Sequence, residues 1–156
     1  MNSNLESKLV ILIADDDEND ALLLTRAIKS AELNCEIKVV SDGEQAINYL
    51  QRAATQSDPE YSPFPRVMVL DLKMPRKNGF EVLEWLRDHP EFNVVPTITF
   101  SSSQIPRDVK RAYQLGALSF FNKPSDFGEL KSLFKTIIPY WQKANLPSMP
   151  TAKSNF

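Results

Sequence analysis

The sequence nearly lacks the residues that thiol and soft-metal chemistry need. Cys35 is its only cysteine and His89 its only histidine. A single thiol excludes an intrachain disulfide and fits a reducing compartment, and one Cys with one His cannot complete a zinc site. No apolar run approaches the roughly 20 residues that cross a bilayer. Residues 1–7 lack the basic-then-apolar order of a secretory signal. A net charge of only −2 provides no broad basic field for nucleic acid or an anionic membrane. The expectation is a cytoplasmic protein that neither enters membranes nor binds nucleic acid directly.

What the sequence does contain is a regular alternation of short apolar runs and helical patterns. Its 156 residues, 42% hydrophobic and 24% charged, suit one ordinary globular domain with a real core. Leu9–Ala14 and Val67–Leu70 are nearly all apolar, as strands covered on both faces should be. Cys35–Val40 alternates Ile37 and Val39 with Glu36 and Lys38, which suits a sheet edge. Val95–Ser101 and Leu118–Asn122 complete five strands. Helices are expected over Asp17–Ser30, after Asp42 with Gln45 as its capping partner, after Asn78-Gly79, over Pro106–Leu115 and after Asp126 with Glu129. Gly116 has the position of a helix-ending C′ residue. His89 falls at the end of the third helix. The last helix carries Leu130, Leu133, Phe134, Ile137, Ile138 and Trp141 as an amphipathic stripe, with Pro139 expected to kink or end it. Arg52–Pro65, with three prolines and two serines, reads as a loop. Residues 1–7 and 146–156 read as flexible tails around one domain at 8–145.

Five successive βα units imply an α/β fold, with a parallel, doubly wound sheet and helices on both faces. Ligands of such sheets bind beyond the carboxyl ends of the strands. The groups with chemical potential all follow apolar runs: Asp15-Asp16-Asp17, Asp71, Ser101-Ser102-Ser103 and Lys123. Parallel strands would therefore collect them on one rim. Converging carboxylates repel one another and need a cation, for which Mg²⁺ with its preference for oxygen ligands fits best. An isolated strand-ending Asp usually serves turn chemistry, but the acidic pair, hydroxyl and ammonium together favour phosphoryl transfer to a carboxylate, with Asp71 as nucleophile. Asp17 is assigned as a helix N-cap rather than a ligand. Ser102 and Ser103 are alternatives to Ser101 as the hydroxyl.

These residues, in this order, resemble the receiver domain of two-component response regulators. The matching segments are Ile11–Asp17, Leu70–Pro75 with Asn78-Gly79, Ser101-Ser102 and Asn122-Lys123-Pro124. The long segment before the Asp71 strand and the Trp141-bearing helix are similar to single-domain regulators that partner cyanobacterial phytochromes. The resemblance implies a flavodoxin-like (βα)5 domain with strand order 2-1-3-4-5. It implies that Asp71 is the phosphoacceptor and that Mg²⁺ is held by Asp15, Asp16, Asp71 and the backbone carbonyl of Lys73. Ser101 and Lys123 would contact the phosphoryl group, Ser101 and Phe120 would form the switch, and the Lys123–Pro124 peptide is one that is often cis in the family. Phe120 departs from the frequent Tyr at its position and lacks the hydroxyl for any contact to a partner. The implied donor is a sensor histidine kinase, of phytochrome type, or a phosphotransfer domain. With no output domain after residue 145, signalling is expected to pass through protein contacts such as a homodimer formed by the last helix. A magnesium-dependent phosphatase with an Asp nucleophile and a phosphorylation-independent scaffold are the alternatives.

Overall fold

The computed structural model describes residues 8–55, 60 and 62–147. Of the expected tails at 1–7 and 146–156, residues 1–7 and 148–156 lie outside the described residues. The elements alternate as β1 (Leu9–Ala14), α1 (Glu18–Lys29), β2 (Cys35–Val40), α2 (Gly43–Thr55), β3 (Val67–Asp71), α3 (Gly79–Asp88), β4 (Thr97–Ser101), α4 (Pro106–Gln114), β5 (Ser119–Asn122) and α5 (Phe127–Lys143). The five strands form one parallel sheet in the order β2-β1-β3-β4-β5. This is the doubly wound, flavodoxin-like architecture, and strand order reverses beside β1.

Burial explains the strand patterns. Every residue of β1, β3 and β4 is buried, whereas the edge strands β2 and β5 contain none that is. Side-chain alternation divides the central strands between two cores. Leu12, Met68 and Leu70 face α2, α3 and α4 through Leu50, Leu83 and Ala112. Ile11, Ile13, Val69 and Phe100 face α1 and α5 through Ile28, Phe134 and Trp141. Leu146 also packs against this second core.

Local chemistry sets most helix starts. Asp17 caps α1 by accepting the N–H groups of Asn19 and Asp20 at 2.9 and 3.0 Å. Asp42 accepts the Gln45 N–H at 2.7 Å, but Gln45 returns its bond to Ser41 N–H rather than to Asp42. Asn78 and Glu81 form a full capping box on α3. Gly116 follows α4 with φ 107°, a left-handed conformation that glycine adopts without a Cβ clash. His89 ends α3, its ring stacked on Trp85 with centroids 4.1 Å apart.

Three expectations change. Helix α2 continues through Arg52 to Thr55 because Ala53 still faces the core, so the irregular segment starts later; residues 56–59 and 61 lie outside the described residues. Pro139 does not end α5, which runs on to Lys143: buried Ile138 and Trp141 on either side of it hold the backbone helical despite the missing N–H. The Lys123–Pro124 bond is trans, as is every peptide bond among the described residues.

Candidate functional site

The parallel register carries the acidic and basic side chains to the carboxyl rim of the sheet, as the sequence pattern requires. Ala14 pairs with Leu70 and Asp71 with Phe100, so Asp15 and Asp71 leave neighbouring strands at the same level. Carboxylate oxygens of Asp15, Asp16 and Asp71 all lie within 4.8 Å of one another. Asp15 and Asp71 are buried, at 2% and 6% exposure, while Asp16 is exposed. Asp15 uses Oδ1 to accept the Asp17 N–H at 2.9 Å. Its Oδ2 has no hydrogen-bond partner although it is fully buried.

Lys123 stands among the acids. Its Nζ lies 3.0 Å from Asp15 Oδ2 and 3.4 Å from Asp71 Oδ2. Neither approach is aligned as a hydrogen bond; the ammonium instead donates to Asp20 Oδ2 at 2.8 Å. Burial pushes the Asp71 carboxyl up to about 6, Lys123 opposes that rise, and the Asp15 charge adds to it. Asp15 is also raised, first by burial. Burial disfavours the Lys123 charge, yet the Asp20 hydrogen bond and the charges of Asp71 and Asp15 prevail and raise it. Three carboxylates around one ammonium, two of them buried, are a donor set that an oxygen-liganded divalent cation suits.

The loop after β3 closes the site from one side. Lys73 donates its N–H toward Asp71 Oδ1 at 3.4 Å. Arg76 has φ 65° and binds Asp42 Oδ2 through Nε at 2.7 Å. Gly43 donates its N–H to the Lys77 carbonyl at 2.9 Å, an approach so close that a Cβ at Gly43 would collide with that carbonyl. Gly79 is equally constrained: a Cβ there would run into the Asp71 carbonyl.

On the opposite side, Ser101 ends β4 fully buried and its carbonyl accepts the Lys123 N–H at 3.0 Å. Its Oγ accepts the Ser103 N–H at 3.0 Å. Ser103 donates its hydroxyl to Asp108 at 2.7 Å, and Ser102 is exposed. Phe120 is half-buried, packs against the core beneath α4, and donates its N–H to the Tyr113 hydroxyl at 3.2 Å. Sequence reading did not single out Asp20 or Tyr113. The place of Asp20 in the first turn after the Asp17 cap signals only a capping role, and Tyr113 has no signal, since its partner is a backbone N–H.

The sheet is doubly wound and parallel, with three carboxylates and a lysine on its rim, and the "Response regulator receiver domain" family profile matches residues 11–135. The chain belongs to that family, the receiver domain response regulators of two-component signalling, which act as switches rather than as enzymes. Response regulator Rcp1 of Synechocystis sp. (PCC 6803) is 29% identical over 140 residues, spanning 89% of this chain and 93% of its own. The Mn²⁺-bound crystal structure of Rcp1 superposes with a TM-score of 0.76 over 89% of this chain and 99% of that one, at 28% identity. The phosphorylated cyanobacterial phytochrome response regulator RcpA gives 0.80 over 91% and 100%, at 26% identity. A response regulator in red light signalling of R. palustris also gives 0.80, over 90% and 99%, at 28% identity. The chain is thus similar to single-domain phytochrome response regulators. No helix among the described residues is long and apolar enough to cross a membrane.

Proposed function

We propose that this protein takes a phosphoryl group onto Asp71 from a phosphohistidine of a sensor histidine kinase or phosphotransfer domain, and that phytochrome-type kinases are the donor class, which its similarity to a phytochrome response regulator supports. In that step the P–N bond of the phosphohistidine breaks and a P–O bond to an Asp71 oxygen forms. The departing imidazole nitrogen takes up a proton. The observation that carries this reading is the position of the Lys123 ammonium, 3.4 Å from Asp71 and on the same rim as Asp15 and Asp16.

Each residue has a distinct part. Asp71 is the nucleophile. Lys123 pairs with the transferred group, and Ser101 turns its hydroxyl from the Ser103 N–H to a phosphoryl oxygen. Asp15, Asp16, Asp71 and the backbone carbonyl of Lys73 are the groups that would hold Mg²⁺. When bound, that ion offsets the negative charge of the carboxylates and the incoming phosphoryl oxygens. The approach of the three carboxylates to within 4.8 Å of one another supports this assignment.

Phosphorylation adds about 1.5 to 2 negative charges, and Phe120 follows Ser101 to change the face made by α4, β5 and α5. Ile105, Tyr113, Leu118 and Tyr140 are large apolar or aromatic residues exposed on these elements and their connections. They support a protein partner for this face, with a homodimer through α5 as our preferred assembly. The cytoplasm is the compartment where such a kinase would present its phosphohistidine.

The test is stoichiometry with acetyl phosphate and Mg²⁺. The switch reading expects at most one phosphoryl group per chain, uptake that chelation abolishes, and no sustained turnover of small phosphate esters. Multiple turnover of p-nitrophenyl phosphate would replace it with a phosphatase.

A further inference from the structure

Asp20 occupies the third position of α1, where an acidic side chain often turns back to the N–H of the capping residue. Here that N–H is already taken. Asp17 donates it to Asp15 Oδ1 at 2.9 Å, and Asp20 receives nothing from the cap. Its own N–H is satisfied by Asp17 Oδ1 at 3.0 Å. The Asp20 carboxylate is therefore free to reach across the rim, and it takes the one aligned hydrogen bond that Lys123 donates to a carboxylate, at 2.8 Å.

The geometry matters because Lys123 serves several acids at once. Asp20 is nearer to Nζ than Asp15 at 3.0 Å or Asp71 at 3.4 Å. Lys123 is only 21% exposed, so its ammonium has little water to exchange partners with. Asp20 is more open, at 37%. It can therefore surrender the contact and be rehydrated, as neither Asp15 nor Asp71 can.

We propose that Asp20 is a positioning residue that holds the Lys123 ammonium through its shortest contact, and so competes for Lys123 with a phosphoryl group on Asp71. This rests on the reading of Asp71 as the phosphoacceptor. Asp20 makes its hydrogen bond in the site to Lys123, and its charge also adds to the rise at Asp15. Its contact also ties α1 to the segment after β5, so occupation of the site by a phosphoryl group would release that tie.

The probe is beryllofluoride with Mg²⁺, a phosphoryl mimic, titrated by fluorine NMR on wild type, Asp20→Asn, Asp20→Ser and Asp20→Glu. A part-buried pair of this kind sets the expected scale, about a threefold to fivefold tightening in Asp20→Asn and Asp20→Ser. Asp20→Glu keeps the charge and should stay near wild type. Thermal unfolding of each variant reports whether the fold is intact.

A double-mutant cycle with Lys123→Ala separates positioning from through-space repulsion. The gain from Asp20→Asn should vanish when Lys123 is absent. A gain that persists without Lys123, or equal or weaker binding by Asp20→Asn, would overturn the role of Asp20 while leaving Asp71 as phosphoacceptor. Absence of beryllofluoride binding by wild type would instead remove the phosphoacceptor reading, and the role of Asp20 with it.

Discussion

Arg76 Nε meets Asp42 Oδ2 at 2.7 Å and thereby joins the loop beyond Asp71 to the head of α2. Asp42 is almost completely buried. Burial raises its pKa, but the Gln45 N–H and the Arg76 guanidinium outweigh that and hold it below the usual carboxylate range. Arg76 meanwhile carries a left-handed backbone, φ 65°, that disfavours any side chain. The ion pair and the strain therefore act at one residue with opposite sign.

Two substitutions separate them. Arg76→Ala removes the pair and keeps the strain; Arg76→Gly removes both. Urea denaturation should rank Arg76→Gly as the more stable of the two. The reverse order would mean that the left-handed backbone is not what position 76 resists.

Pro139 leads to a second prediction. Inside α5 it withholds the N–H that the Lys135 carbonyl would accept in an unbroken helix. Pro139→Ala should stabilise the protein by about 1–3 kcal/mol. The check is the shift in denaturation midpoint at unchanged slope.

The failure to foresee this continuous helix shows where sequence reading stops. The bounds of β1 and β2 could be read to the residue, from a continuous apolar run in Leu9–Ala14 and alternation in Cys35–Val40, although the exposed residue of β2 is Val39 rather than Glu36 or Lys38. The acidic trio was legible because each member follows an apolar run and the sheet is parallel. Of the two outcomes expected at Pro139, a kink or an end, the end does not occur: local propensity argues for it, while the packing of Ile138 and Trp141, fixed only in three dimensions, argues against it. Asp20 escaped notice for a similar reason. Its role depends on Lys123, 103 residues away, and on an N–H already claimed by Asp15.

Asp71 gives a pH prediction with a definite sign. Its carboxyl is raised from 3.8 to about 6 by burial, so the folded state holds a proton where the unfolded chain has released it. Stability from this group therefore falls as pH rises from about 4 to 6 and stays reduced above that. With metal chelated, Asp71→Asn should be more stable than wild type at pH 8, by about 1–3 kcal/mol, and near wild type at pH 4. Thermal unfolding at both pH values tests this; an equal gain at both would exclude ionisation as the cause.

Asp16 gives the complementary metal prediction. It is exposed, so Asp16→Asn should leave the metal-free melting temperature close to wild type. Binding to the folded state alone stabilises by mass action. Wild type should therefore melt at progressively higher temperature as Mg²⁺ is added, and Asp16→Asn should respond weakly or not at all. Equal responses would place the ion elsewhere.

The most direct measurement is intact mass after incubation with acetyl phosphate and Mg²⁺, for wild type and Asp71→Asn side by side. The account predicts a single added phosphoryl group on wild type and none on Asp71→Asn. An unmodified wild type, or the same adduct on both proteins, would contradict it.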